Sequence, residues 1–299
     1  MNQFINISNF TGKQAREYLE SVRWSKGAIC PHCNSKESFK LTAKKGSKKP
    51  VRDGVYKCSS CRKQFSVTVG TIFENSHIPL NKWLIAIYLI CSSKKGISSN
   101  QLHRMLDITY KSAWFLSHRI RYAMEQNNKG YLSGTVEVDE TYIGGFKSGT
   151  TGRGSENKIP VVALIQRNGE VRSKQIDKLT SKNLKAYIRE NVDKDSIIIT
   201  DEFRSYNGLN KEFKDHQTVN HSKKEYVRGD VYTNTVEGYF SLLKRGINGT
   251  FHHISKKHLQ RYLAEFDVRY NHRILKDETI ASILIENSKG KRLTYGGTN

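Results

Sequence analysis

The stretch Thr233-Asn-Thr-Val-Glu-Gly-Tyr-Phe-Ser-Leu-Leu-Lys-Arg-Gly246 carries two readings at once. At helical spacing, Val236, Phe240 and Leu243 make an apolar stripe, while Asn234, Glu237, Ser241 and Lys244 make a polar one. Asn234 falls in the N-cap region and Gly246 marks the stop. A carboxylate and an ammonium two turns apart on one face can point into a shared site. They can equally be the solvated face of a surface helix, and this stretch alone leaves both open. Gly238 leans against a purely structural helix, because mid-helix Gly costs about 1 kcal/mol relative to Ala. The acids upstream decide between the readings.

Thr135-Val-Glu-Val-Asp-Glu-Thr141 alternates as a strand, with Val136 and Val138 on one face and Glu137 and Asp139 on the other. Residues 144–154 form a Gly-rich polar loop. Ile159 to Gln166 and Glu170 to Gln175 read as strands joined by Arg167-Asn-Gly169, the clearest hairpin signal in the chain. Ser181 to Asn191 reads as a helix and Ser196 to Thr200 as a short apolar strand, followed at once by Asp201-Glu202. His216 to Asn220 reads as a further strand, ahead of the Thr233–Gly246 helix. Strands and helices in this order predict a mixed sheet covered by helices, an α/β domain over 131–285. In such a sheet Asp139, Asp201 and Glu237 can converge at one edge, although any one of them can equally be an ordinary surface acid. Three carboxylates suit Mg²⁺ or Mn²⁺, hard ions that retain waters and take substrate phosphates. Spacing alone does not exclude Glu137, Glu140 or Glu202 from that set. The later helix, Ser255 to Tyr270, places Leu259, Tyr262, Leu263, Phe266 and Tyr270 at core spacing.

Two further segments precede this domain. In residues 1–75, Cys30-Pro-His-Cys33 and Cys58-Ser-Ser-Cys61 are paired C-x-x-C knuckles, the four thiolates of a tetrahedral Zn²⁺ site. A segment so small gains little from apolar burial, and metal would stabilise it. His32 lies inside a knuckle and is not expected as a ligand. Lys44, Lys45, Lys48, Lys49, Arg52, Lys57, Arg62 and Lys63 make the segment basic, either for phosphate contacts or as a solvated loop. In residues 76–130 an apolar helix from Leu80 to Cys91 precedes a second through Leu102 and Leu106. Asp107-Ile-Thr109 then leads into a third from Tyr110 to Met124. That outline is a helix-turn-helix, whose recognition helix would bring Lys111 and Arg119 to DNA; a plain three-helix bundle reads almost the same.

Fifty Lys and Arg against 28 Asp and Glu give a net charge of +22, a field that favours a polyanionic partner. No run of 18 apolar residues exists, which excludes a transmembrane helix on this reading and predicts a cytoplasmic, nucleoid-associated protein. The five cysteines fit metal binding better than disulfides in that compartment. The tail 286–299 is basic, Gly-rich and expected to be disordered.

Several motifs together resemble the Asp-Asp-Glu insertion-sequence transposases with an RNase H-like fold, specifically the ISXO-two-like group with an N-terminal zinc ribbon. They are the knuckles, the 68–73 run Thr-Val-Gly-Thr-Ile-Phe, Val138-Asp-Glu-Thr-Tyr-Ile-Gly-Gly145 and Thr200-Asp-Glu-Phe-Arg-Ser-Tyr206. The 233–246 stretch, Phe251-His-His-Ile-Ser255 and Arg269-Tyr-Asn-His-Arg273 complete the set. The resemblance implies that Asp139, Asp201 and Glu237 ligate the catalytic Mg²⁺ or Mn²⁺. It implies DNA contacts by Lys244, with Arg245 and Asn234 beside it. It further implies metal-dependent cleavage at terminal inverted repeats, joining of the 3′-hydroxyl ends to target DNA, and a homo-oligomer on double-stranded DNA. A domesticated, non-cleaving DNA-binding protein or a stand-alone RNase H-like nuclease are the competing readings.

Overall fold

The computed structural model describes residues 9–42, 51–125, 130–144 and 158–294. The lysine-rich loop at 44–49, the linker at 127–129 and the Gly-rich loop beyond Gly144 lie outside them. The chain divides into two compact units, Met1–Met124 with Ile274–Asn299, and Glu125–Arg273.

Thr11 opens the first unit's α1 (Gly12–Arg23) with a reciprocal capping box: Gln14 N donates to Thr11 Oγ1, and Thr11 N donates back to the Gln14 side chain. Three short antiparallel strands follow, β1 (Ser38–Lys40), β2 (Val55–Cys58) and β3 (Gln64–Ser66), in the order β1-β2-β3. Their small core is Cys30, Cys58 and Phe65 with Trp24 and Tyr56 against it. Then come α2 (Leu80–Ser92), α3 (Ser99–Leu106) and α4 (Tyr110–Met124). Asp107, at φ 47°, makes the left-handed turn between α3 and α4, and Thr109 receives Ser112 N at the start of α4.

The C-terminus departs from the sequence reading, which extends the α/β domain to 285. The last helix, α8 (Asp277–Asn287), instead packs on α1, α2 and α4 of the first unit. Its buried face of Ile280, Ala281, Leu284 and Ile285 needs an apolar partner, and the strongly apolar α2 packs against it. Nor are residues 289–294 an unattached tail: Gly290 N donates to Gly70 O (2.8 Å) and Lys291 Nζ to Ala123 O (2.9 Å).

The second unit is built on a five-stranded mixed sheet. Its strands are β4 (Thr135–Ile143), β5 (Ile159–Gln166), β6 (Val171–Gln175), β7 (Ile197–Thr200) and β8 (Asp215–Thr218). The spatial order is β6-β5-β4-β7-β8, with β4, β5 and β6 antiparallel in sequence and β4, β7 and β8 parallel. Asn168, at φ 59°, turns the β5–β6 hairpin where the sequence places it. One face of the sheet (Val136, Val138, Val162, Leu164, Ile198) packs on Leu184, Tyr187 and Ile188 of α5 (Ser181–Asn191). The other face packs on α6 (Asn234–Gly246) and α7 (Leu259–Asn271), and the small hairpin β9 (Val227–Arg228) with β10 (Val231–Tyr232) leads into α6.

The free edge of β6 would expose a row of backbone donors, and α7 satisfies them. Asn271, Asp267 and Gln260 accept from the amides of Val171, Ser173 and Gln175 at 2.7, 3.0 and 3.0 Å. Side chains spaced along one helix thus match alternate residues of one strand, and the edge is closed to further pairing.

Candidate functional site

Alternation along β4 sends Glu137, Asp139 and Thr141 toward α6, while Val136 and Val138 enter the core beneath α5. Parallel pairing of β4 with β7 sets Glu137 opposite Ile199. Continued two residues, that register brings Asp201, just past the end of β7, abreast of Asp139. Asp201 Oδ1 accepts from Phe203 N at 3.0 Å, which holds the carboxylate in the turn. On α6, Val236, Tyr239, Phe240 and Leu243 are buried, and Asn234, Glu237, Ser241 and Lys244 are exposed, as the two-stripe reading requires.

The three acids lie near enough for Asp139 to feel the charges of the other two. Burial raises the Asp139 carboxyl to about 7, and the charges of Glu140, Asp201 and Glu237 push the same way. Asp139, Glu140, Glu237, Ser241, Lys244 and Arg245 line one open cleft of about 700 Å³. Carboxylates that feel one another's charge carry a negative field that a hard divalent cation would neutralise, and their oxygens are the donors such an ion takes. Asp139, Asp201 and Glu237 are the residues that would hold it.

The remaining acids have other partners. Glu137 is fully buried and receives four hydrogen bonds, described below. Glu140 accepts from the buried Tyr206 hydroxyl at 2.6 Å. Glu202 accepts from His221 N, Ser222 N and Ser222 Oγ, the last of which does most to hold its carboxyl down near 2. That anchorage sets His221 beside the cleft, with Nε2 3.5 Å from Glu237 Oε1 and 3.4 Å from Thr233 Oγ1. No spacing pattern in the sequence marks His221. Asn234, expected in the N-cap region, is the first residue of α6.

The cysteines form a tighter cluster. The ligand atoms of Cys30, Cys33, Cys58 and Cys61 all lie within 4.8 Å of one another, and among the described residues no other metal-type cluster does. Cys30–Cys61 and Cys33–Cys58 are each 3.6 Å apart, against about 3.8 Å for the edge of a tetrahedron with zinc–sulfur bonds near 2.3 Å. Both knuckles turn alike: a left-handed residue, Asn34 or Arg62, follows the second cysteine and donates its N–H to the first cysteine's carbonyl. Cys61 N points at Cys58 Sγ and, with its neighbours, holds that thiol down to about 6. Four sulfurs in this arrangement fit Zn²⁺.

Arg119 is a correction. It does not face solvent from a recognition helix; it is 3 % exposed, donates to Glu74 O at 2.6 Å and lies over the rings of Trp83 and Phe115. Burial lowers it to about 10. His118 and Arg121 are buried too, so α4 shows solvent chiefly its first turn, where Tyr110 and Lys111 are exposed. A basic residue at a helical position reads as surface in the sequence, and only the packing of α4 reveals otherwise.

With this geometry in view, two regions of the chain match known families: residues 131–271 an ISXO2-like transposase domain, and residues 11–64 a transposase zinc-ribbon domain. A protein of the transposable element ISH50 in Halobacterium salinarum is 30% identical over 274 residues, spanning 86% of this chain and 90% of that protein. A transposase-like protein of Haemophilus influenzae is 34% identical over 115 residues, 38% of this chain and 90% of its own. Among solved structures, a pre-cleavage Mos1 transpososome aligns with a TM-score of 0.25 and 12% identity, over 66% of this chain and 75% of that one. A Mos1 paired-end complex aligns with a TM-score of 0.20. Overlaps so loose carry no argument about site or partner. The chain belongs to the ISXO2-like transposases of insertion sequences, and its four-cysteine segment is their zinc ribbon. No helix among the described residues is long and apolar enough to cross a membrane.

Proposed function

We propose that the chain cuts DNA at the ends of its insertion sequence and joins those ends to a target. Asp139, Asp201 and Glu237 act there as the ligands of Mg²⁺ or Mn²⁺, within an RNase H-like domain. The observation that carries this reading is that Asp139 on β4 feels the charges of Asp201, just past the end of β7, and of Glu237 on α6, beside an open cleft lined by Asp139, Glu237, Lys244 and Arg245. The strand order β6-β5-β4-β7-β8 with two parallel neighbours supports the RNase H-like assignment. When bound, the divalent ions supply Lewis acidity toward the phosphate and a water activated near neutral pH. The protein's part is to hold the acids on rigid strand and helix positions and to meet the phosphate backbone with Lys244, Arg245 and Asn234.

Two in-line displacements follow. In the first, water adds to phosphorus and the bond to the 3′-oxygen breaks, which leaves a 3′-hydroxyl on the element end. In the second, that hydroxyl adds to a target phosphodiester, and the target's 3′-oxygen leaves. Bringing two ends together calls for a homo-oligomer on double-stranded DNA. The zinc ribbon and the exposed first turn of α4 with Lys111 are the surfaces offered to the terminal repeats in a helix-turn-helix reading. Arg119 is not among them.

The test is a labelled duplex carrying the element's own terminal repeat, incubated with Mg²⁺ or Mn²⁺. Wild-type protein is expected to nick at the repeat end, and Asp139→Asn and Asp201→Asn to lose that activity. Specific binding with no cleavage in either metal would replace this reading with a non-cleaving DNA-binding protein.

A further inference from the structure

The first turn of α6 lacks a cap of its own. Thr233, at its N-cap position, makes no side-chain bond to the helix backbone, and its hydroxyl donates to Glu237 Oε1 at 2.9 Å instead. The cap comes from another element. Glu137 on β4 accepts from Thr235 N at 2.9 Å and Val236 N at 3.1 Å through Oε2, and from Thr235 Oγ1 at 2.8 Å through Oε1. Its negative charge also suits a helix N-terminus. Arg167, from the β5–β6 hairpin, donates its Nε to the same Oε1 at 2.8 Å. The rest of that guanidinium ties down the segment ahead of α6: it donates to Asp230 O at 2.7 Å and Tyr232 O at 3.0 Å, and sits 3.6 Å from the Tyr232 ring centroid.

Glu137 shares its face of β4 with Asp139, and the backbone groups it grips lie within two residues of Glu237. The clamp therefore joins the strand that carries one proposed ligand to the helix turn that carries another. We propose that Glu137, with Arg167, is a positioning residue that sets the place of Glu237 relative to Asp139, and so the affinity of the carboxylate site for its divalent ion. The inference rests on the metal-site reading of Asp139, Asp201 and Glu237. Glu137 itself is not a ligand, because both its oxygens are engaged by four hydrogen-bond donors.

Four donors and no acceptor make Glu137→Gln a sharp probe, since an amide NH₂ must face two of the donors. Thr235→Val removes only the hydroxyl contact and serves as the milder variant. The full-length proteins are compared by Mn²⁺ titration of repeat-end nicking and by hydrogen exchange of the peptide covering the start of α6. Loss of an outer support of a metal site typically weakens affinity roughly 10–100-fold. Glu137→Gln is expected to raise the Mn²⁺ needed for half-maximal nicking by a factor in that range and Thr235→Val by less. Exchange should quicken at α6 and stay unchanged at α5. An unchanged half-point in Glu137→Gln overturns the proposal, and so does exchange that quickens throughout the unit, which marks general loss of stability. If Glu137→Gln does not fold, Thr235→Val decides by the same criteria. If wild-type protein does not nick at any Mn²⁺ concentration, the metal-site reading fails, and exchange alone judges the clamp. Quickening confined to α6 then supports it, and unaltered protection overturns it.

Discussion

The chain carries a tight set of four thiols and a looser set of three acids, and the two differ in almost every physical respect. The cysteines of the ribbon lie on two matching knuckles, with all four sulfurs inside a 4.8 Å cluster. The acids lie on a strand, a turn and a helix of the second unit; Asp139 and Glu237 line an open cleft, and Glu237 is 46% exposed. A closed four-sulfur shell leaves no position for substrate, and its energy goes into folding. An open set of carboxylates leaves room for phosphate and water. The first site suits an ion that is kept; in the function proposed, the second would use one.

The largest effect expected from this contrast is at the ribbon. Cys58→Ser should abolish zinc retention and unfold the region around β1–β3, because structural zinc contributes on the order of 10 kcal/mol to small metal-held folds. Metal analysis with hydrogen exchange of residues 28–66 reads this out. A variant that lost zinc yet kept ribbon protection would break the comparison from the structural side.

Next in size is a pH effect away from both metal sets. Asp267 on α7 accepts from Ser173 N, Ser173 Oγ and the Tyr239 hydroxyl, and full burial still raises its carboxyl to about 7. The folded state therefore keeps a proton that the unfolded chain gives up near 4. Stability from this group is present below pH 4 and lost as pH rises toward 7, at up to roughly 1.4 kcal/mol per pH unit. Asp267→Asn should flatten that fall in a denaturant series between pH 4.5 and 7.5. An equally steep slope in the variant would show that the edge closure by α7 is not the source.

The smallest effect is at Gly238. An added Cβ there meets nothing within 4 Å, and the position is mid-helix. Gly238→Ala should raise the stability of the free protein by about 0.5–1 kcal/mol in chemical denaturation. A gain in stability with a loss of DNA cleavage would sharpen the contrast, since it would locate a close approach of DNA to α6.

Much of this was legible from residue order. The knuckles, the β5–β6 hairpin and the two stripes of Thr233–Gly246 carry their structure in local spacing, and the strand that bears Asp139 and the strand that ends before Asp201 follow from alternation and apolar runs. What spacing could not give was tertiary. Arg119 reads as a surface cation until Trp83, Phe115 and the Glu74 carbonyl enclose it. Glu137 and Asp139 are indistinguishable along β4, and only the approach of Thr235 and Val236 separates a helix cap from a ligand. α8 belongs with the first unit because its apolar face fits there, a pairing that sequence distance hides.

The most direct measurement takes one preparation of wild type and one of Glu237→Gln, and records zinc content and Mn²⁺-dependent nicking of the terminal-repeat duplex side by side. The account predicts equal zinc, equal thermal stability within a few degrees, and cleavage lost by at least about two orders of magnitude in the variant. Wild-type cleavage rates from Glu237→Gln, with zinc in place, would contradict the assignment of the open site.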